Sequence, residues 1–159
     1  MFGFLKKILG SKSDKDLKEI YPLVDKINTE FDKLKGISDE DLRGKTESFK
    51  LKIKESLKET DDEIKSLKNK YEVSEGSLDE KEEILNSIDK ILEDQNKTIE
   101  NVLNEILPEA FAVVKETARR FSENGSLEVM ATDYDKALSE NKENIKIKGS
   151  KALWLNKWE

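Results

Sequence analysis

The sequence predicts a mainly helical protein with a small β element near its C-terminal end, an α+β chain overall. Charged residues make up 40% of the 159 residues and hydrophobic residues 35%, a balance typical of long exposed helices. Apolar residues recur at spacings of three and four from Leu17 to Phe121, which is the period of an α-helix. After Phe121 the apolar residues alternate, which is the period of a β-strand.

Residues 1–12 are predicted to form a short amphipathic helix. A basic helix with bulky apolar residues suits an anionic membrane surface, although the same face is also suited to docking on the chain's own domain. Lys6 and Lys7 interrupt the apolar stretch, so we do not expect a secretory signal peptide. The candidate membrane or partner contacts are Phe2, Phe4, Leu5, Lys6, Lys7, Ile8 and Leu9.

Residues 13–54 are predicted to form the N-terminal helices. Ser13 followed by Asp16, and Ser38 followed by Asp41, have the capping-box pattern that opens a helix. Pro22 lies inside the first apolar stripe, and we expect it to kink or break the helix near Tyr21 because proline cannot donate the backbone hydrogen bond.

Residues 55–98 are predicted to form a helical-hairpin arm with its turn near residues 73–78. Ser74 to Ser77 has turn composition, and Ser77 with Glu80 forms another capping-box pattern. Two long helices joined by a short turn predict an antiparallel, coiled-coil-like pair. The apolar stripe is narrow, so it suits either a hairpin folded on itself or a homodimer, and the oligomeric state stays open.

Residues 99–121 contain the most apolar part of the chain, which runs from Leu103 to Phe121. Pro108 is predicted to occupy the first position of a helix, where its missing N–H is not needed. Glu109 then falls in the first turn, where the helix dipole favours an anion. Arg119 and Arg120 either contact a partner's carboxylates or complement the C-terminal turn of this helix.

Residues 122–159 are predicted to form a small β-containing segment that continues beyond Glu159. Leu127 to Ala131 suits a short strand. Thr132 with Asp135 has a capping-box pattern. Two alternating runs then flank Gly149-Ser150 and predict a β-hairpin, with Trp154 and Trp158 on one face, which implies a covering surface.

The composition excludes several kinds of chemistry. The chain has no His and no Cys, so imidazole catalysis and thiolate metal sites are absent. Gly44-Lys45-Thr46 is not a P-loop, because the position that needs the first glycine is Asp39 and the triplet lies in a helical pattern. The net charge of −6 speaks against nucleic-acid binding. We therefore predict no catalytic, cofactor-binding or metal-binding residue, and no enzymatic activity, in this chain.

Three blocks of the chain resemble the N-terminal region of the SecA family, the ATPase motors of bacterial protein export. PEAFAVVKETA, from Pro108 onward, resembles the family's signature, and SDEDLRGKTESFK, from Ser38 onward, is similar to its early helix. The initial MFGFLKKILGSKSDK also fits. The residues that carry the two internal matches are Leu42, Gly44, Lys45, Thr46, Phe49, Pro108, Glu109, Ala110, Phe111, Val113 and Val114.

The resemblance implies a parent translocase that uses ATP and magnesium to move preproteins through the SecYEG channel. It implies a cytoplasmic protein, peripheral on the inner membrane, that contacts anionic phospholipid. This chain would supply membrane and translocon contact and a scaffold leading into a RecA-like fold that it lacks. Residues 55–98 are interpreted as an insertion, either a spacer or a docking arm. The alternative is a standalone coiled-coil module that binds an anionic membrane surface or a partner protein.

Overall fold

The computed structural model describes residues 12–156. The candidate membrane or partner contacts, which fall in the stretch from Phe2 to Leu9, lie outside this range. Trp158 lies outside it as well. Among the described residues, no helix combines the length and apolarity that crossing a membrane requires. The prediction of a mainly helical chain with a small antiparallel β element is confirmed. The elements are α1 (Lys12–Leu34), α2 (Asp39–Val73), α3 (Leu78–Asn124), β1 (Ser126–Met130), α4 (Asp133–Ser139), β2 (Ile145–Lys148) and β3 (Lys151–Leu155).

Side-chain caps define where the two long helices begin. The Asp41 N–H donates to Ser38 Oγ over 3.0 Å at the start of α2. At the start of α3 the Glu80 N–H donates to Ser77 Oγ over 3.3 Å, and the Ser77 N–H donates to Glu80 Oε2 over 3.2 Å. Both predicted helix starts are confirmed, whereas the predicted cap at Ser13 lies outside the described side chains. Each cap satisfies backbone donors that the first turn of a helix leaves unpaired.

Both prolines lie inside helices, which contradicts the predicted break near Tyr21 and the predicted helix start at Pro108. Helix α1 continues past Pro22 and is not broken near Tyr21. Pro108 lies within the 47 residues of α3 instead of at a first helical position. An interior proline costs about 3 kcal/mol of helix stability, but Ile106 and Ala112 are buried on either side of Pro108. Burial of these neighbours offsets the lost hydrogen bond, so the helix continues.

The chain divides into two compact units. One comprises the residues up to Lys45 and those from Pro108 onward, and the other comprises Thr46–Leu107. The core of the first unit is formed by three buried residues from three different helices, Leu34, Leu42 and Ala112. Half-buried apolar residues of the same helices and the α1–α2 connection pack against this cluster, namely Ile27, Phe31, Ile37 and Val113.

The second unit is held by contacts between α2 and α3. Its core consists of Ile64, Ile84 and Ile88, with Leu67 and Ile91 packed against them. A polar layer interrupts this core. Gln95, which is buried, donates its amide to Thr60 Oγ1 over 2.8 Å and to Asp61 Oδ1 over 2.7 Å. Lys52 pairs with Glu105 over 2.9 Å, so residues earlier in α2 meet residues later in α3.

The small sheet has the strand order β1-β3-β2, with both pairs antiparallel. Trp154 of β3 lies between Leu127 of β1 and Ile145 of β2. Gly149 has a φ of 60° in the turn between β2 and β3, a backbone conformation that favours glycine. The predicted strand after Ser126 and the predicted hairpin are confirmed, and their pairing into one sheet is a finding of the structure.

Candidate functional site

The two internal blocks that carry the family resemblance meet in the first unit. Lys45 Nζ lies 2.9 Å from Glu109 Oε1, and each side chain is about one-third exposed. Leu42, 4% exposed, belongs to the same buried cluster as Ala112, and Val113 packs against that cluster. An ion pair and a hydrophobic contact therefore join residues that are more than sixty positions apart in the sequence.

Arg120 lies at the centre of a buried ion-pair junction. Its side chain is 6% exposed and pairs with Glu116 over 2.8 Å and with Asp39 over 2.6 Å. Its remaining Nη2 donates to the carbonyl oxygens of Leu34 over 3.1 Å and of Ile37 over 2.8 Å. The guanidinium of Arg120 thus ties α3 to three segments: the end of α1, the α1–α2 connection and the start of α2. Arginine suits this role because its donors form a fixed fork.

Glu116 is the buried carboxylate of this junction, with no exposed surface. It accepts two hydrogen bonds from Arg119 and one from Arg120, each over 2.8 Å. The bond from Arg119 lowers the pKa of the Glu116 carboxyl most. Burial opposes this effect, Arg120 reinforces it, and the pKa falls from 4.5 to about 2. Glu116 is therefore ionised at neutral pH and does not serve as a proton donor there.

A second charged cluster joins α2 to the β segment. Arg43 Nη2 lies 2.9 and 2.8 Å from the two carboxylate oxygens of Asp135, which is fully buried. Asp135 also completes the capping box of α4 by accepting from the Thr132 N–H and hydroxyl, each over 2.8 Å. The Trp154 indole N–H donates to it over 3.2 Å. Burial raises the pKa of the Asp135 carboxyl, but the bonds from Thr132 and Arg43 outweigh burial and keep this pKa below its ordinary value.

Replacing Asp135 by alanine is expected to lower the free energy of unfolding by about 2 kcal/mol, because the change removes a helix cap and leaves Arg43 and the Trp154 N–H without their acceptor. Chemical denaturation of a Trp158→Phe background, followed by Trp154 fluorescence, measures this loss. Asp133→Ala is the matched control, since the Asp133 side chain is 99% exposed in the same helical turn. Equal effects of the two changes would refute the structural role of Asp135.

The other residues that carry the resemblance are spread over exposed and half-buried positions. Gly44 and Thr46 are exposed on α2, within a helix rather than in a phosphate-binding loop. Phe49, Pro108 and Ala110 are half-buried. Phe111 and Val114 are 57% and 67% exposed despite their apolar side chains. The resemblance therefore contains both core residues and surface residues.

The sequence-based predictions missed the two buried ion-pair clusters. Neither alternative proposed for Arg120 is correct, because it is buried against the chain itself and α3 continues to Asn124. One signal was present: Glu116 and Arg120 continue the stripe of Ala112 at a spacing of four, so two charges occupy core positions. Buried charges of this kind are found almost only in pairs. The partnership of Arg43 with Asp135 had no local signal, since 92 positions separate them.

Both clusters are closed structural junctions. No buried side-chain polar atom in the described range lacks a hydrogen-bond partner. Residues 12–156 also contain no group of three or more His, Cys, Asp or Glu placed to hold a metal ion. The two clusters therefore connect the helices and the β segment of the first unit through paired charges.

Comparisons with known proteins agree on one family. The family model described as the SecA DEAD-like domain matches residues 5–135. A protein translocase subunit SecA of Cytophaga hutchinsonii is 45% identical over 159 residues, which is 99% of this chain and 14% of the relative. Proteins of the same description from Porphyromonas gingivalis and Amoebophilus asiaticus are 44% and 42% identical over 98% and 100% of the chain. No solved structure matches the chain.

The chain spans only 14% of the length of these relatives. The match includes both blocks that meet at the Lys45–Glu109 pair and the residues of both buried ion-pair clusters up to Asp135.

Proposed function

The chain belongs to the SecA family of protein translocase subunits, and on that premise we propose that it acts as the N-terminal region of a translocase that couples ATP hydrolysis to preprotein export through SecYEG. The observation that carries the proposal is 45% identity over 99% of the chain to a protein translocase subunit SecA. ATP and magnesium belong to the parent activity, and we assign no residue of this chain to them.

The role of this region within the translocase is that of a scaffold. The Arg120 junction and the Arg43–Asp135 pair fix α1, α2, α3 and the β segment of the first unit to one another. Buried charges that are fully paired specify one arrangement of the elements they join, because any other arrangement leaves a charge without its partner. Such a scaffold positions neighbouring catalytic parts without taking part in the chemistry. In this proposal residues 55–98 form the inserted arm, as a spacer or as a docking element.

The test of translocase function uses the polypeptide encoded by the whole gene with inverted inner-membrane vesicles that carry SecYEG. ATP-dependent uptake of a preprotein is expected with that polypeptide, and no ATP hydrolysis is expected with residues 1–159 alone. The standalone coiled-coil alternative instead predicts membrane or partner binding without ATP-dependent uptake. Hydrolysis by residues 1–159 alone would contradict the scaffold role.

Residues 1–12 are proposed to contact the anionic cytoplasmic face of the inner membrane. Each lysine near such a surface contributes about 1 kcal/mol, so Lys6→Glu with Lys7→Glu is expected to weaken binding to vesicles containing phosphatidylglycerol by tenfold or more. Flotation of the full chain with these vesicles, and with phosphatidylcholine vesicles, measures the change. The control Lys65→Glu with Lys68→Glu changes the charge equally on exposed positions of α2. Equal losses in the two double variants would show general charge attraction instead of a local contact.

A further inference from the structure

Helix α3 carries more apolar surface in the second unit than α2 covers. Ile84, Ile88 and Ile91 face the core of that unit, and the first two are 7% exposed. A second row of leucines lies beside them. Leu78, Leu85 and Leu92 are 83%, 46% and 43% exposed. We call these three residues the leucine row.

The leucine row repeats once per heptad. The three residues are seven positions apart, so each lies only about 20° around the helix from the previous one. They span roughly 21 Å along the axis, at 1.5 Å per residue. Together with the buried isoleucines they give α3 an apolar face of three positions per heptad. A face of this width suits a helix that packs against two neighbours. A helix that packs against one partner needs only two apolar positions per heptad.

Acidic residues border the leucine row on its outer side. Glu82 and Asp89 lie three or four positions from Leu85, so they flank it on the helix surface. Both are exposed, and no ion pair holds either of them within residues 12–156. The second unit, Thr46–Leu107, contains 10 lysines and 17 acidic residues, a net charge of −7. The whole chain carries −6, so its negative charge is concentrated in this unit.

We propose that the leucine row is the docking site for a basic amphipathic helix of a partner protein. Such a helix places its apolar stripe on the leucines and its lysine or arginine residues beside Glu82 and Asp89, which is the complementarity that guides helix-in-groove recognition. A second copy of this chain fits poorly, because two units of net charge −7 repel each other. An anionic lipid surface is repelled for the same reason. The proposal does not depend on the translocase activity.

The experiment uses the full chain and a synthetic peptide of three heptads with leucine at the first and fourth positions and lysine at the flanking positions. Fluorescence anisotropy of the labelled peptide gives the Kd. Leu85→Ser is expected to raise the Kd several-fold, since docking buries the 46% of Leu85 that is exposed in the free chain. Leu51→Ser, at a leucine of α2 that is 55% exposed, is the matched control and is expected to leave the Kd unchanged. Leu92→Ser provides a second, independent variant.

A charge exchange tests the flank separately. Glu82→Lys with Asp89→Lys is expected to raise the Kd more than Glu55→Lys with Glu59→Lys, which makes the same net change on exposed positions of α2. Equal effects of Leu85→Ser and Leu51→Ser would overturn the proposal, because the peptide would then bind by charge alone. A dimer of the wild-type chain in sedimentation equilibrium that Leu85→Ser dissociates would also overturn it, since the row would then bind a second copy.

Discussion

Replacing Arg120 by alanine is expected to lower the free energy of unfolding by about 3–5 kcal/mol, because the change breaks a buried ion pair. The change removes one of the two arginines that pair with the fully buried Glu116 carboxylate, over 2.8 Å, and the contact with Asp39 over 2.6 Å. It also strips the hydrogen-bond donor from two carbonyl oxygens at the end of α1 and in the connection that follows. Urea unfolding of the full chain followed by far-ultraviolet circular dichroism measures the loss.

Arg119 offers the matched control for this substitution. It donates two hydrogen bonds to the same Glu116 carboxylate, each over 2.8 Å, but these bonds and its ion pair with Glu123 lie within α3, and its side chain is 35% exposed. Arg119→Ala is therefore expected to destabilise the chain much less than Arg120→Ala. Equal losses would show that burial and the contacts to α1 and α2 contribute nothing at Arg120.

Acidification is expected to remove about 3 kcal/mol of stability through Glu116 alone. The pKa of this carboxyl is about 2 in the folded chain against an ordinary 4.5, so the unfolded chain binds the proton more tightly. The stabilisation is fully present above pH 4.5 and is lost as the pH falls from 4.5 towards 2. A shift of this size corresponds to roughly 3 kcal/mol at about 1.4 kcal/mol per pH unit.

Glu116→Gln isolates this contribution from that of the other carboxylates. The variant keeps the shape of the side chain but carries no charge, so it is expected to be less stable than the wild-type chain at neutral pH. Because protonation gives the wild-type chain the same neutral group, the gap between the two unfolding free energies should close between pH 4.5 and pH 2. Urea titrations at several pH values measure the gap, and a constant gap across this range would contradict the assignment.

Local patterns in the sequence were sufficient for much of the fold. The capping boxes at Ser38, Ser77 and Thr132 are short-range signals, and each one marks a helix start that the structure has. Alternation around Gly149 is equally local and predicts the β2–β3 hairpin. Such signals depend on residues within a few positions of one another, so the rest of the fold does not override them.

Tertiary contacts decided the features that the sequence did not predict. Pro108 follows the local rule for a helix start, but burial of Ile106 and Ala112 keeps α3 continuous through it. Arg120 follows the local rule for a helix end, yet its partners include Asp39, 81 positions away. No pattern within a few residues contains such a contact. The sequence identified the residues that carry the family resemblance but not their arrangement in space. The Lys45–Glu109 pair is visible only in the structure.

A double-mutant cycle between Asp39 and Arg120 tests most directly whether the ion pairs of the Arg120 junction hold the start of α2 against α3. The unfolding free energies of the wild-type chain, Asp39→Ala, Arg120→Ala and the double variant give the coupling between the two side chains. The structure, with 2.6 Å between Arg120 Nη1 and Asp39 Oδ1, predicts a favourable coupling of about 1–3 kcal/mol. Additivity of the two substitutions to within about 0.5 kcal/mol would contradict the account.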